Sequence, residues 1–192
     1  QKQAIASSTD PGGPALAELV ERVVSMAKAV PDDENCGLAD PAEILTSHVP
    51  DLDTADPDEP TTEVLAERAS ACEAAARGVL GITNSEGAEA SWSSSDISIA
   101  ASNGFSGAYR STGHGFGVAV LAGEGTSMER DYESTSATFA TDLDDPNYVG
   151  QTAGERAVAR LNPRKVETQQ VPVVFAPRVS NGLVRDLAGA VT

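Results

Sequence analysis

The fold of this chain is decided by the stretch ASWSSSDISIAASNGFSGAYRSTGHGFGVAVLA, residues Ala90–Ala122. Apolar and polar residues alternate on both sides of Asn103-Gly104, which is typical of strands that bury one face. Asn-Gly between two alternating segments is a strong signal for a tight hairpin turn. The stretch therefore predicts two antiparallel strands, Ala90–Ser102 and Phe105–Ala122.

The two-residue period continues on both sides of this hairpin. Upstream, Val79–Thr83 has the composition of a short strand, and Asn84–Gly87 has that of a turn. Downstream, Ser127–Ala140 alternates again after the turn signal Gly123-Glu-Gly125. We expect an antiparallel meander over 79–140, with one apolar face.

Outside the meander, the apolar residues follow the 3.6-residue period of amphipathic helices. The pattern predicts helices over 14–30, 62–77 and 147–161, packed against sheet faces, and a last helix that opens at Pro177 or Ser180. Gln1–Ser8 and Val171–Ala176 have the composition of further short strands. The fold class that follows is α+β (mixed α/β), an antiparallel meander sheet with helices packed on it.

Composition excludes several classes of function. The 192 residues carry a net charge of −16, and 4% of them are aromatic. Such a chain is poorly suited to bind nucleic acid or anionic membranes, because both are recognised mainly through Lys and Arg. No apolar run reaches the ~18 residues of a membrane span. Cys36 and Cys72 have no metal-binding spacing, and with no secretory leader evident we expect two reduced thiols in a bacterial cytoplasm.

The acidic residues are concentrated in one segment. Pro31–Glu63 holds eleven acidic residues, five prolines and no Lys or Arg. Such a stretch cannot form a core of its own. We interpret it as a solvated surface connection that includes His48, with a cation site or a docking strip as the alternative.

His114 lies between glycines in Gly113-His-Gly115-Phe-Gly117. Glycine at every second position leaves one face of a strand bare, so that a ligand, a peptide strand or another strand of the protein can approach the backbone. The run is not a phosphate loop, since no helix follows it. Ser106 likewise lacks the spacing of a nucleophile elbow.

A row of carboxylates alternates along the last predicted strand. Glu129, Asp131 and Glu133 alternate with Arg130 and Tyr132. Alternate residues of a strand lie ~6.6–6.8 Å apart, too far for three carboxylates to converge on one Ca²⁺ ion. The row predicts a charged outer face that discourages edge pairing, or else a grip on a cationic or backbone ligand.

Several phrases, in this order along the chain, resemble the TldD/PmbA family, and within it the PmbA (TldE) branch, the so-called modulators of DNA gyrase. The phrases are Ser7-Ser-Thr-Asp10, Cys36-Gly-Leu-Ala-Asp40, Asp51-Leu-Asp53, Ile82-Thr-Asn-Ser-Glu-Gly87, Arg110-Ser-Thr112, Met128-Glu-Arg-Asp-Tyr132, Arg160-Leu-Asn-Pro-Arg-Lys165 and Pro172-Val-Val-Phe-Ala176. The resemblance runs from end to end of the chain, whereas the members of the family are much longer. It implies a partial chain: the end of a first α/β region (1–30), an acidic Pro-rich connection (31–60), a middle α/β region (61–168) and the start of a truncated C-terminal domain (169–192).

The resemblance also implies a function. Members of the family form a cytoplasmic heterodimeric metallopeptidase that processes peptides and unfolded proteins, with its zinc on an H-E-x-x-G-H helix of the TldD-type subunit. The corresponding helix here carries Arg185, Asp186, Gly189 and Ala190 in place of the first His, the Glu, the Gly and the second His. Arg cannot ligate a metal, Ala has no ligand atom, and one carboxylate is far short of a catalytic zinc site. We expect no catalytic residues, metal or cofactor in this chain, which would be inactive alone.

These inferences lead to one main hypothesis and two alternatives. The chain is interpreted as a fragment of a non-catalytic PmbA/TldE-like subunit that pairs with a zinc-bearing TldD-like subunit and contacts peptide or unfolded protein. The residues expected at the substrate or interface are Arg110, His114, Glu129, Arg130, Asp131 and Tyr132. The alternatives are a peptide-binding module in which the Gly-rich strand accepts an extended chain by β-augmentation, and an acidic DNA mimic that acts on gyrase.

Overall fold

The structure, a computed structural model, describes residues 1–45 and 50–191. The expectation of a solvated His48 lies outside the described residues. The helices are α1 (Gly13–Ala29), α2 (Thr62–Arg77), α3 (Pro146–Ala159) and α4 (Pro177–Val191), and the strands are β1 (Ile82–Ala100), β2 (Ser106–Ala122) and β3 (Glu129–Ala137). Short 3₁₀ turns occupy Pro41–Glu43, Gly125–Ser127 and Ala140–Asp142. None of the described helices is long and apolar enough to span a membrane.

The three strands form one antiparallel sheet in the order β1-β2-β3, which confirms the predicted meander and the α+β class. The hairpin turns at Asn103-Gly104, where Gly104 has a φ of 98°. The turn predicted at Asn84–Gly87 is wrong, because β1 runs through these residues with two register shifts. The Asn and Gly there mark β-bulges, which bend a strand without reversing it.

One face of the sheet is covered by α2 and α3, and the core lies between them. Its buried apolar residues come from both helices and from alternate positions of β2: Cys72, Ala76, Phe116, Val118, Val120, Ala122, Val149, Ala153 and Ala157. The predicted apolar stripes of the two helices are therefore confirmed. Burial raises the pKa of the Cys72 thiol to about 11, as expected of a core cysteine rather than a reactive one.

The helices α2 and α3 also touch each other at backbone distance. A Cβ atom on Gly150 would lie 2.1 Å from the carbonyl oxygen of Cys72, and one on Gly154 would lie 3.0 Å from the carbonyl oxygen of Ala76. Only glycine fits at such a close approach. The small residues that α2 buries, Cys72 and Ala76, therefore serve a helix–helix contact as well as the predicted contact with the sheet.

Three sequence-based predictions about the ends of the chain are wrong. The helix α1 forms close to the predicted residues, but none of its residues is buried, so it does not pack on a sheet face. The segments Gln1–Ser8 and Val171–Ala176 have extended composition but form no strand. An extended segment becomes a strand only when a partner satisfies its backbone groups, and among the described residues the sheet is limited to β1–β3.

Candidate functional site

A buried histidine and a buried carboxylate meet at the middle of β2, where its pairing with β3 ends. His114 is 2% exposed, and its Nε2 lies 3.1 Å from Oδ2 of Asp56. Neither ring nitrogen of His114 makes a hydrogen bond of regular geometry to a described residue. The contact is therefore electrostatic, and it brings two titratable groups together away from water.

The Asp56 carboxylate is held mainly by backbone groups. Its Oδ2 accepts a hydrogen bond from the Ala140 amide at 2.9 Å, and its Oδ1 accepts one from the Asp58 amide at 2.9 Å. These backbone donors, followed by the charge of His114, hold the pKa of Asp56 below its usual value against the opposing effect of burial. The carboxylate is thus kept ionised beside the imidazole.

Thr112 ties the acidic segment to the sheet. Its amide donates to the carbonyl of Thr54 at 3.0 Å, and its hydroxyl accepts from the Asp56 amide at 2.7 Å while donating to the carbonyl of Thr138 at 3.1 Å. Three stretches of chain, 54–58, 112–114 and 138–140, therefore meet at one point. The prediction of a wholly solvated connection over 31–63 is wrong at Asp56, whose side chain is only 7% exposed.

The carboxylates of β3 face the helices rather than solvent. Asp131 is 4% exposed and receives two hydrogen bonds from Arg178, of 2.7 and 3.1 Å, while Arg160 lies 3.4 Å away. Burial raises the pKa of Asp131, but hydrogen bonds from Arg178 and from the Tyr132 amide, with the nearby arginine charges, outweigh it and leave the pKa below its usual value. Asp131 is therefore an ionised anchor under α4.

The two neighbouring carboxylates are paired in the same manner. Glu133 contacts Arg156, and Glu129 lies 3.6 Å from Arg160. The expectation that this row forms a charged outer face is wrong, because α3 and the start of α4 cover it. The carboxylates act in a ladder of ion pairs within the chain.

Arg130 and Tyr132 point to the opposite, uncovered face of the sheet. Arg130 Nε pairs with Glu86 at 2.7 Å, and the guanidinium carbons of Arg130 and Arg178 lie 5.9 and 5.4 Å from the centre of the Tyr132 ring. Both distances are within the range of cation–π attraction. A shallow concavity lies beside this group, and its lining includes Gly87, Glu89, Gly117, Ala119 and Ser134.

The glycines of β2 that line this face are explained by the neighbouring strands. A Cβ atom on Gly117 would lie 2.8 Å from both the Glu133 carbonyl oxygen and Ser134 Cβ, and one on Gly113 would lie 3.3 Å from Ser93 Oγ. The sequence left open whether a ligand, a peptide strand or another strand of the protein approaches these glycines. At Gly117 it is another strand of the same sheet, β3. In addition, β2 is paired with β1 and β3 over residues 114–122, so β-augmentation on this Gly-rich strand is wrong.

The residues expected to contact a substrate or partner do not form a single cluster. Arg130 and Tyr132 share the uncovered face, and Glu129 and Asp131 lie on the helix-covered face. Arg110 is exposed on the hairpin, where its Nε and Nη2 donate to Asp96 at 2.8 and 3.2 Å. The role of these residues in binding stays a prediction.

The helix α4 carries the positions that correspond to a metal-binding motif in the resembling family. Arg185, Asp186, Gly189 and Ala190 lie on its second half, and they supply a single carboxylate as donor. These residues do not fit a zinc ion. Within residues 1–45 and 50–191, no group of three or more His, Cys, Asp or Glu side chains is arranged to hold a metal ion.

The apolar residues along one face of α4 are not covered by the part of the chain that the structure describes. Val179, Leu183, Leu187 and Val191 are 53–76% exposed. At the start of the helix, Arg178 contacts both Asp131 and the Tyr132 carbonyl, the latter at 3.2 Å. Arg178 thus tethers α4 to β3.

Sequence reasoning missed Asp56 and the arginines Arg156, Arg160 and Arg178. A signal for two of them was present: Arg156 and Arg160 are spaced i, i+4, a rise of about 6 Å along a helix. The alternate carboxylates of β3 repeat at about 6.8 Å. Two rows with such similar repeats can pair in register wherever a helix lies along a strand. Nothing in the local sequence of Asp56 distinguishes it from the other acidic residues around it.

Comparison with known proteins places the chain in a family context. Residues 55–161 match the family model described as the PmbA/TldA metallopeptidase central domain. The chain is 36% identical over 187 residues to metalloprotease PmbA of Escherichia coli O157:H7, covering 97% of this chain and 41% of the relative. It is 30% identical over 197 residues to a metalloprotease PmbA homolog of Haemophilus influenzae, covering 100% of this chain and 43% of the relative. The chain thus spans less than half the length of these relatives.

Solved structures share the fold. A proposed modulator of DNA gyrase from Bacteroides thetaiotaomicron matches with a TM-score of 0.72 at 25% identity, over 84% of this chain and 38% of that one. TldE from Thermococcus kodakarensis matches with a TM-score of 0.54 at 15% identity, over 80% of this chain and 34% of that one. The second likeness is one of fold alone.

Proposed function

Because this chain belongs to the PmbA/TldD metallopeptidase family, we propose that it is part of a PmbA/TldE-like, non-catalytic subunit of a heterodimeric metallopeptidase. The observation that carries this proposal is the donor set of α4. Arg185, Asp186 and Ala190 stand where the resemblance places two histidines and a glutamate, and one carboxylate cannot hold a catalytic zinc ion. In this proposal the zinc belongs to a TldD-like partner, and the complex acts on peptides or unfolded proteins in the cytoplasm.

Two sets of contacts support a structural role for this chain in the proposed complex. The pairing of Asp131 with Arg178 holds the start of α4 against β3, and the packing of α2 on α3 stiffens the unit behind it. A helix that is anchored at its first turn and apolar along one face is suited to be held against another structural unit. We infer that the α/β unit of this chain positions α4 for an interface.

The alternative of a DNA mimic has weaker support. A mimic of duplex DNA presents free negative charges at regular intervals. Here five carboxylates of the sheet are paired with arginines of the same chain: Glu86, Asp96, Glu129, Asp131 and Glu133. Of the other 24 acidic residues, ten lie in the connection before α2, which has no regular repeat.

The test is reconstitution with a TldD-like subunit. The chain is mixed with that subunit in equal amounts, and cleavage of an unfolded, fluorescently labelled casein is followed with and without a zinc chelator. We expect no cleavage by this chain alone, and zinc-dependent cleavage by the partner that rises when the chain is added. Zinc-dependent cleavage by this chain alone that the Asp186→Asn variant abolishes would contradict the proposal. A partner that neither binds the chain nor responds to it would also contradict it.

A further inference from the structure

The first strand of the sheet has one unpaired edge. In the order β1-β2-β3, β1 pairs with β2 and with no other described strand. It is 19 residues long, whereas β3 has 9 and covers only the part of β2 from His114 to Ala122. Such an edge presents a row of backbone donors and acceptors that only another extended chain can satisfy in full.

The register shows which residues present those groups. At the hairpin end the Ala101 amide donates to the Phe105 carbonyl, and opposite pairs of an antiparallel ladder alternate between hydrogen-bonded and non-hydrogen-bonded. The backbone groups of Ala101 therefore point toward β2, and in β1 every second residue from Ala100 backward points its N–H and C=O groups away from β2. These residues are Ala88, Ala90, Trp92, Ser94, Asp96, Ser98 and Ala100. A hydrogen bond of β2 supports this assignment. Thr112, which is paired with Ser94, donates its amide to the Thr54 carbonyl, on the side of β2 that faces away from β1.

Those outward groups have no hydrogen-bond partner within residues 1–45 and 50–191. No hydrogen bond among the described residues uses a backbone group of residues 88–100 apart from the ladder with β2. From Ser94 to Ala100 the four outward-facing residues are exposed to solvent. The edge is therefore accessible, and it is not the rim of a buried core.

The usual protections of an edge strand are missing from this part of β1. Proline, lysine and bulges commonly prevent strand addition. Residues 88–100 contain neither proline nor lysine, and both register shifts of β1 lie before Ala88. The edge is thus suitable for an added strand over residues 88–100, where about seven residues point their backbone groups outward.

We propose that the outer edge of β1 binds a basic, extended polypeptide segment, which adds to the sheet as a fourth strand. The charge pattern selects this occupant over a second copy of the chain. The strand β1 carries Glu86, Glu89 and Asp96 and no cation; Arg130 and Arg110 pair with Glu86 and Asp96, and Glu89 has no ion-pair partner among the described residues. Each copy has a net charge of −16, so two copies repel each other. A strand that carries Lys or Arg is instead attracted by this net charge, and its cations can pair with Glu89. The inference goes beyond the proposed function, since it requires neither a partner subunit nor a metal.

Binding of a defined peptide to the 192-residue chain tests the proposal. The probe is a fluorescein-labelled 12-residue peptide of alternating Thr and Lys, titrated by fluorescence polarisation. Its control is the same peptide with N-methyl groups on alternate residues, which removes backbone donors along one edge and keeps every side chain. We expect the N-methylated peptide to bind at least ten-fold more weakly. Equal binding of the two, or no binding of the first, would overturn the proposal.

A matched pair of protein variants locates the site. The Ser94 amide points away from the ladder, so Ser94→Pro removes only an outward donor, which edge strands tolerate. We expect Ser94→Pro to keep the circular dichroism spectrum of the wild type and to bind the peptide at least ten-fold more weakly, and Ser94→Ala to bind as the wild type does. If Ser94→Pro fails to fold, the N-methylated peptide still decides the outcome.

Amide hydrogen exchange by NMR distinguishes peptide from self-association. On addition of the peptide, the amides of Ser94, Asp96 and Ser98 should become protected, whereas those of Ser93 and Ser95 should already be protected by β2. Protection that appears without peptide as the protein concentration rises would show that a second copy occupies the edge, and would overturn the choice of occupant. Equal affinity for a Thr/Glu peptide would overturn the charge argument.

Discussion

Replacing Gly150 with alanine should separate the two helices of the core. The added Cβ would lie 2.1 Å from the Cys72 carbonyl oxygen and 2.9 Å from both Ala75 Cβ and the Ala76 amide nitrogen. Two of these three atoms belong to the α2 backbone, so no side-chain rotation can relieve the contact. To reach an ordinary separation the helices must move apart by about 1 Å, which loosens a core packed at crystal-like density.

The expected cost follows from two opposing effects. Overpacking a core costs about 1–3 kcal/mol and occasionally more, and contact with backbone belongs at the upper end of that range. Alanine recovers about 1 kcal/mol of helix propensity relative to glycine. We therefore expect Gly150→Ala to lower the free energy of unfolding by about 2 kcal/mol or more, equivalent to a fall in Tm of about 4–8 °C for a chain of this size.

The assay is urea unfolding followed by circular dichroism, with Gly182→Ala as the matched control. Gly182 lies in α4, and a Cβ atom there would meet nothing within 4 Å. The control should therefore leave the free energy of unfolding unchanged or raise it by up to about 1 kcal/mol. If Gly150→Ala unfolds at the same urea concentration as the wild type, the close approach of α2 and α3 inferred here is incorrect.

Three further predictions concern the ion pairs and the thiols. Asp131→Asn should lower the free energy of unfolding at pH 7 by about 1–3 kcal/mol, less than for a fully buried pair because its arginine partners are partly exposed. The pKa of Asp131 is lower in the folded state than in the unfolded state, so its ionised form stabilises the fold above the unfolded pKa of about 3.9. This stabilisation is lost as the pH falls through the folded-state pKa. In urea titrations, the difference in free energy of unfolding between the variant and the wild type should therefore shrink below pH 4. Arg178→Ala should release the start of α4 and speed cleavage by trypsin after Arg185, the other trypsin site of the helix, as seen by mass spectrometry. Arg164→Ala, which removes an exposed arginine before α4, should leave the rate of that cleavage unchanged. With Ellman's reagent at pH 8 the native chain should expose one fast thiol, that of partly exposed Cys36, while buried Cys72 reacts only on unfolding; two fast thiols, or a fast thiol that survives Cys36→Ser, would contradict this.

Much of the fold was predictable because it depends on local periodicity. The alternation around Asn103-Gly104 placed the central hairpin, and the 3.6-residue stripes placed α2, α3 and α4 within a residue or two of their observed bounds. The error at Asn84–Gly87 has a local cause, since the residues that favour turns also favour bulges. Only the continuation of pairing with β2 separates the two outcomes, and that pairing involves residues more than thirty positions away.

The candidate site was less predictable than the fold. His114 stood out in the sequence because of its flanking glycines, but its partner Asp56 is one of eleven similar acids in the preceding segment. The carboxylates of β3 were visible as a row, yet whether they faced solvent or arginines depended on which face α3 covers. The partners of His114 and of the β3 carboxylates are brought close by tertiary packing, and sequence separation does not predict which residues will meet.

By itself, the sequence determined the helices, the central antiparallel hairpin, the family resemblance and the absence of a zinc-ligand set at Arg185, Asp186 and Ala190. Each of these depends on residue type at short spacing, which side-chain chemistry and backbone geometry translate directly into structure. The tertiary structure alone decided that Asp131 is buried beneath Arg178, that Gly150 is a contact point of two helices, and that one edge of β1 is unpaired among the described strands. These features depend on which surfaces meet, and that choice is made by the burial of the whole core rather than by any one segment.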